Sequence, residues 1–402
     1  MDDVDLTTTL RQVCRAAPAM ARLTAGVRAT VLEDMAKALA GHMDEILEAN
    51  TLDLEGVRGQ LLPDWVAEGL KLTPERLQQA AHRLQTLARL PDPLGVVDRQ
   101  TRLERRLTVQ RYRLPLGVVG VVYEVFVEAG IQGVGMACKT GNGVVSAAAQ
   151  ELSHTHQAVM GVLSMAAYEA GIPEGAIQVL PSASIWEGGW LRQHRYMDLI
   201  VAYGRGNWCE RLRETSSVPL LEAQIGQGAL YIDEDAPWSL VKTVLLDKPD
   251  ILTRLPELWV VLHQAWAEQY LRDFLYSVVD REYPVQVEDD IMQHFPGLPP
   301  VPSLVDSSQG SSLRIRVVPS LTEAIAWINK HSHRQLEIIF TNTLTTSQRF
   351  IQEVDSAIIY LNAFPAVQGS DPLGVAAPKL PTRGWIDLNA LTTTKTLVHP
   401  LY

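Results

Sequence analysis

The sequence predicts an α/β protein with parallel sheets covered by helices on both faces. Two patterns lead there: short apolar runs that suit buried strands, of which Leu116–Tyr123 is the clearest, and the alternation of such runs with stretches of helical periodicity. A third observation is size, since 402 residues exceed one ordinary hydrophobic core and call for two domains, or two domains and a small appendage.

The opening section is helical. From Ala21 to about Ala88 apolar residues recur at helical spacing, with Val31, Met35, Leu39, Met43 and Leu47 on one side. A further helix begins at Pro74 with Thr73 as N-cap, and Pro91 follows its end. TRLERRLTVQRYRLPLGVVGVVYE passes from alternation into the apolar run, the pattern of a hairpin feeding a buried strand. Arg102, Arg105, Arg106, Arg111 and Arg113 alternate there with Leu103, Leu107 and Val109, as the solvated face of strands does. GNGVVSAAA, AIQVL and DLIVAYG read as strands, and HQAVMGVLSMAAYEAGIP as a helix ended by Gly171 and Pro173.

Past Gly228, ALYIDEDAPWSLVKTVLL reads as strand, turn and helix, and ELWVVLH and SLRIRVV as strands, which makes a second α/β unit. FPGLPPVPSLVDSSQGSS is expected to be a surface loop. The β-branched ALTTTKTLVHPLY suits pairing with the Arg-rich hairpin or with a neighbouring subunit.

Charge narrows the partners. Lys and Arg number 35 against 46 Asp and Glu, a formal charge of -11, and no basic run could neutralise a series of phosphates, so nucleic acid is not expected. Three scattered cysteines, Cys14, Cys138 and Cys209, suit neither a disulfide framework nor a zinc site and point to a reducing, cytoplasmic setting. The acidic start lacks the pattern of a secretory leader, and no apolar run reaches the ~18 residues of a membrane span. The pairs His154/His156 and His331/His333 lie in or beside helices, where residues two apart diverge, so no metal is expected. Trp65, Trp186, Trp190 and Trp208 are candidate exposed anchors for a partner, weighed against burial in the core.

At PLGVVGVVYE followed by ACKTGNGVV, the chain resembles γ-glutamyl phosphate reductase, the proline-biosynthesis branch of the aldehyde dehydrogenase superfamily. LTPERL and LARLPDPLG upstream, and SVPLLEAQIGQGALYIDED, SLTEAIAWINKHS, FIQEVDSAIIYLNA and LTTTKTLV downstream, follow in the family's order. The resemblance implies an aldehyde-dehydrogenase-like architecture. A Rossmann-type nucleotide-binding domain would span 1–227, with 99–115 as part of a β-flap; a catalytic-type α/β domain would span 228–365, and a return segment with an oligomerisation strand 366–402. It also implies NADPH as cofactor, no metal, and a homodimer or homotetramer. In the implied reaction a cysteine thiolate displaces phosphate to form a thioester, which hydride from the nicotinamide reduces to glutamate semialdehyde.

For the cofactor, Lys139, Gly141 and Asn142 match the family's Lys-Ser-Gly-Asn, with Cys138 and Lys139 expected at the end of a strand facing the dinucleotide. Gly206, Glu222 and Gly226 complete the expected cofactor set. Other elements depart from the pattern. Placing ELWVV on the strand after the nucleophile puts Thr253 at the cysteine position, with Leu252 or Arg254 there after a one-residue shift. Cys209, at a helix start that would lower its pKa, is the substitute nucleophile considered.

Val125, Phe126 and Val127 replace an Arg-Pro-Asn, exchanging a phosphate clamp for apolar bulk. Leu-Arg-Gly-Gly has become Val145, Ser146, Ala147 and Ala148, and Pro-Arg-Gly-Gly has become Tyr203, Gly204, Arg205 and Gly206. Gly-x-Gly-Asn-Cys-His stands as Gln224 to Ala229, Gly-Ser-x-His as Ser332, His333, Arg334 and Gln335, and the late glycine-rich stretch as DPLGVAAPKLP. The expectation is a relative that has lost catalysis and serves a scaffold, assembly or regulatory role with an unidentified protein partner. Its alternatives are an active NADPH-dependent reductase and a non-catalytic NADPH sensor.

Overall fold

The computed structural model describes residues 3–103, 107–182, 184–187, 189–224, 227–246, 257–295, 312–332, 334, 336–363, 375–377 and 384–400. Five helices open the chain, at Asp3–Met20, Ala25–Gly41, Met43–Gly56, Asp64–Leu70 and Pro74–Arg89. The last starts as its sequence dictates: the Thr73 hydroxyl accepts from Arg76 N and Pro74 fills the first turn, where a missing N–H costs nothing. The first helix, with Pro18 inside it, lies outside the stretch that periodicity marked as helical.

The first sheet comprises β3 (Val118–Tyr123), β4 (Gly143–Ala148), β5 (Ile177–Val179), β6 (Leu199–Gly204) and β7 (Leu220–Gln224), all parallel in the order β5-β4-β3-β6-β7. All six residues of β3 are buried because both of its faces are covered. Val119, Val121 and Tyr123 pack in one cluster with the helices Ala25–Gly41 and Pro74–Arg89, whereas Val118 and Val122 pack in another with Leu6 and Leu10 of the first helix, Trp190 and Trp208. Each valine removed from water in this way contributes about 1.5 kcal/mol.

The second sheet comprises β8 (Gln227–Ile232), β9 (Glu257–His263), β10 (Val285–Val287), β11 (Ser312–Val318), β12 (Leu336–Phe340) and β13 (Ile358–Leu361). It too is parallel, in the order β10-β11-β9-β8-β12-β13, so ELWVVLH and SLRIRVV are neighbouring strands. The helix Gln264–Asp280 covers one face, and the helices Leu321–His331 and Leu344–Glu353 cover the other.

A third, antiparallel sheet joins β1 (Val97–Leu103), β2 (Leu107–Pro115) and β16 (Thr392–Pro400) in the order β1-β2-β16, so the late β-branched strand does pair with the Arg-rich hairpin. Asp98 binds Arg111 at 2.7 Å and Arg113 at 3.2 Å on that hairpin. A small hairpin of β14 (Val375–Ala377) and β15 (Gly384–Ile386) completes the strands described. The stretch 296–311, expected to be a surface loop, lies outside the described residues.

Candidate functional site

In the first sheet the chain order β3, β4, β5 runs one way from β3 and β6, β7 the other, so the direction reverses between β3 and β6. In open parallel sheets that reversal, at the carboxyl ends of the strands, is where ligands bind. Two charged residues meet there. Glu124 follows β3, Arg205 follows β6, and the helix Gly206–Thr215 begins directly after Arg205. Glu124 Oε2 accepts from the Arg205 backbone N–H at 2.7 Å, and Oε1 accepts from Arg205 Nε at 2.9 Å and Nη2 at 2.6 Å. That bond to the carboxylate raises the Arg205 pKa, as does the nearby charge.

A second ion pair flanks β3. Arg76 grips Glu128, with Nε to Oε1 at 2.5 Å and Nη2 to Oε2 at 2.8 Å, and its guanidinium stands 5.6 Å from the centre of the Phe126 ring. Val125 packs so tightly on the helix Asp64–Leu70 that a Cβ at Gly69 would fall 2.4 Å from it. The apolar replacement at 125–127 is therefore built into the wall beside β3.

The structure does not bring together the five of the six expected cofactor residues that it describes. Lys139 ends a helix, Val127–Lys139, rather than a strand, and with Gly141 and Asn142 it leads into the start of β4, at the opposite end of the strands from Glu124 and Arg205. Its ammonium is buried and donates to Ala88 O at 2.8 Å. Asn142 is fully buried; its Oδ1 accepts from Gly117 N, and its Nδ2 donates to Thr140 Oγ1 and Leu391 O. Gly141 holds φ at 69°, closing the turn. Gly206 lies at the reversal, Glu222 sits within β7 held by Arg213, and Gly226 lies outside the described residues.

Thr253, Leu252 and Arg254 also lie outside the described residues, as do His333, Gln335 and most of DPLGVAAPKLP. All three cysteines are described. Cys138 is fully buried in the helix Val127–Lys139, not at a strand end, and burial pushes its thiol up to about 12. Cys209 does lie in the first turns of a helix, but the expected lowering of its pKa is reversed: it is fully buried, burial drives its thiol well upward, and Glu222 and Glu124 add to the effect. Cys14 contacts Tyr196 O at 3.2 Å and is raised by burial and by Asp198.

His154 and His156 diverge. His154 Nδ1 meets Asp53 Oδ1 at 2.9 Å, and His156, with a pKa lowered to about 4 by burial, meets Tyr123 OH at 2.9 Å. Among the described residues no cluster of three His, Cys, Asp or Glu could hold a metal, and no helix is long and apolar enough to cross a membrane. Of the candidate anchors, Trp190 and Trp208 are buried, Trp186 is 36% exposed, and the Trp65 side chain is outside the description.

The matches to known proteins fit this geometry. The model of the aldehyde dehydrogenase family matches residues 2–242. The chain belongs to that family. A γ-glutamyl phosphate reductase from Gloeobacter violaceus is 31% identical over 98% of this chain and 96% of its own length. The crystal structure of γ-glutamyl phosphate reductase from Thermotoga maritima superposes with a TM-score of 0.83 at 24% identity, covering 99% of both chains. A further family fold, glyceraldehyde-3-phosphate dehydrogenase from Methanocaldococcus jannaschii, was solved in complex with NADP; it gives 0.69 at 12% identity over 100% of this chain and 95% of that one.

Would the residues at the reversal hold such a dinucleotide? The helix start that would receive its diphosphate already carries the Glu124 carboxylate, so they do not fit one as they stand. Sequence reasoning named Arg205 only as a departure from the family's Pro-Arg-Gly-Gly, and missed Glu124 and Arg213 as its neighbours at the site. The available signal was positional, since Glu124 and Arg205 each directly follow an unbroken buried strand.

Proposed function

We propose that this chain keeps the fold of the γ-glutamyl phosphate reductases without their thioester chemistry, and serves as a binding or assembly subunit for a protein partner. The observation that carries this reading is the placement of its thiols: Cys138 and Cys209 are sealed beside the first sheet, Cys14 lies on the first helix, and residues 228–365 contain no cysteine. Acyl transfer to sulfur needs an accessible thiolate, and a threonine at 253 would need a base beside it to replace one. The domain limits 1–227, 228–365 and 366–402 belong to the same reading. The exposed Leu397 and Val398 of β16 support association through the flap as a homodimer or homotetramer.

The relatives favour a second reading, an active NADPH-dependent reductase of γ-glutamyl phosphate to glutamate 5-semialdehyde in proline biosynthesis. Identity along almost the whole chain to proteins of that name supports it, and no comparison favours loss of catalysis. It requires a nucleophile that is not a cysteine of the second sheet. One assay separates the two: the purified protein is given NADPH with γ-glutamyl phosphate, and separately NADP⁺ and phosphate with the semialdehyde. An unchanged nicotinamide absorbance in both is the outcome expected of the first reading, and turnover in either direction establishes the second.

A further inference from the structure

We propose that the crevice at the β3/β6 reversal is closed by the chain's own side chains, so that this protein does not take up a nicotinamide dinucleotide. Glu124 stands where a diphosphate would bind, and Trp208 and Trp186 fill the space beside it. This goes beyond the proposed function, because a chain without thioester chemistry could still hold the cofactor.

An anion is drawn to a helix start by unpaired N–H groups and the positive end of the helix dipole. Here the anion is internal. Glu124 is only 5% exposed, and its carboxylate takes three hydrogen bonds from Arg205, one from the backbone and two from the guanidinium. A diphosphate brought to the same helix start would face a buried negative charge and a guanidinium already committed to it.

The apolar half is closed just as firmly. Trp208 lies on the last residue of β6: a Cβ at Gly204 would sit 2.4 Å from Trp208 Cε3 and 3.1 Å from Glu124 Oε2. Trp208 is 6% exposed, meets Trp186 edge-on with ring centres 6.2 Å apart, and Arg211 caps Trp186 at 4.3 Å. These side chains come from the end of β3, the end of β6, the helix Gly206–Thr215 and the short helix Ser184–Glu187, so the plug draws on four separate elements. Opening it requires breaking the ion pair and moving two indoles.

The test titrates the full-length protein calorimetrically with NADPH, and separately with inorganic pyrophosphate. The wild-type chain is expected to show no binding of NADPH at millimolar concentration. Glu124→Gln keeps the side chain's shape while removing its charge and should raise pyrophosphate affinity roughly tenfold or more; Trp186→Ala with Trp208→Leu in that background should let NADPH bind. NADPH binding to the wild type in the micromolar range, or equal pyrophosphate affinity for wild type and Glu124→Gln, overturns the proposal. Should the variants fail to fold, the wild-type NADPH titration decides it alone. Dinucleotide binding without turnover would remove this inference and leave the proposed function standing, whereas turnover would remove both.

Discussion

Arg213 holds Glu222 through two parallel hydrogen bonds, Nε to Oε1 at 2.7 Å and Nη2 to Oε2 at 2.5 Å. The carboxylate is buried in β7, while 44% of the arginine side chain is exposed, so the helix Gly206–Thr215 is clamped to the edge of the sheet from its solvent side. The planar fork of arginine matches a carboxylate as lysine cannot. Arg213→Met is therefore expected to lower the unfolding free energy by about 1–3 kcal/mol, below the value for a fully buried pair because the guanidinium is half solvated. Urea denaturation measures it. An unchanged midpoint would show that the pair contributes nothing to stability.

Glu337 supplies a pH dependence of unusual sign. Its side chain is fully buried in β12. Burial pushes its carboxyl up to about 8, the Ser332 hydroxyl opposing and Asp355 adding. The folded state thus binds the proton more tightly than the unfolded chain, whose glutamate titrates near the ordinary value of about 4.3. Stability should fall as pH rises from about 4 to 8 and level off above, by at most roughly 5 kcal/mol from this one group. Glu337→Gln should flatten that slope and stabilise the protein at alkaline pH. Equal pH profiles for wild type and variant would refute the assignment.

The thiols give a third check. Native protein treated with iodoacetamide at pH 8 should leave Cys138 and Cys209 unmodified while Cys14 reacts slowly, and all three should react in denaturant, because burial disfavours each thiolate. Peptide mapping reads the sites. Fast labelling of Cys209 in the folded chain would restore it as a candidate nucleophile.

Much of the architecture was legible because it rests on apolar periodicity. The run Leu116–Tyr123 contains β3, Thr73 and Pro74 start their helix, and the β-branched end of the chain pairs with the arginine hairpin. The helix Val127–Lys139 was not legible, and the misplacement of Cys138 and Lys139 follows from that. It carries Gly130, Gly133 and Gly135, each of which weakens a helix in isolation. Tertiary packing demands them: a Cβ would fall 2.1 Å from Tyr123 at Gly130, 2.8 Å from Val121 at Gly133 and 2.5 Å from Leu84 at Gly135. The crevice was hidden for a related reason, since Glu124 and Arg205 are far apart in sequence and only the order of the strands brings them face to face.

The flap has a consequence for synthesis on the ribosome. Arg113 in β2 meets Thr392 in β16, 279 positions later. At about 5–20 residues per second, β2 therefore emerges with its outer edge bare for on the order of 15–60 s before its partner exists. During that interval the nascent ribbon is an adhesive edge, and a chaperone or a neighbouring polysome product has the first opportunity to cover it.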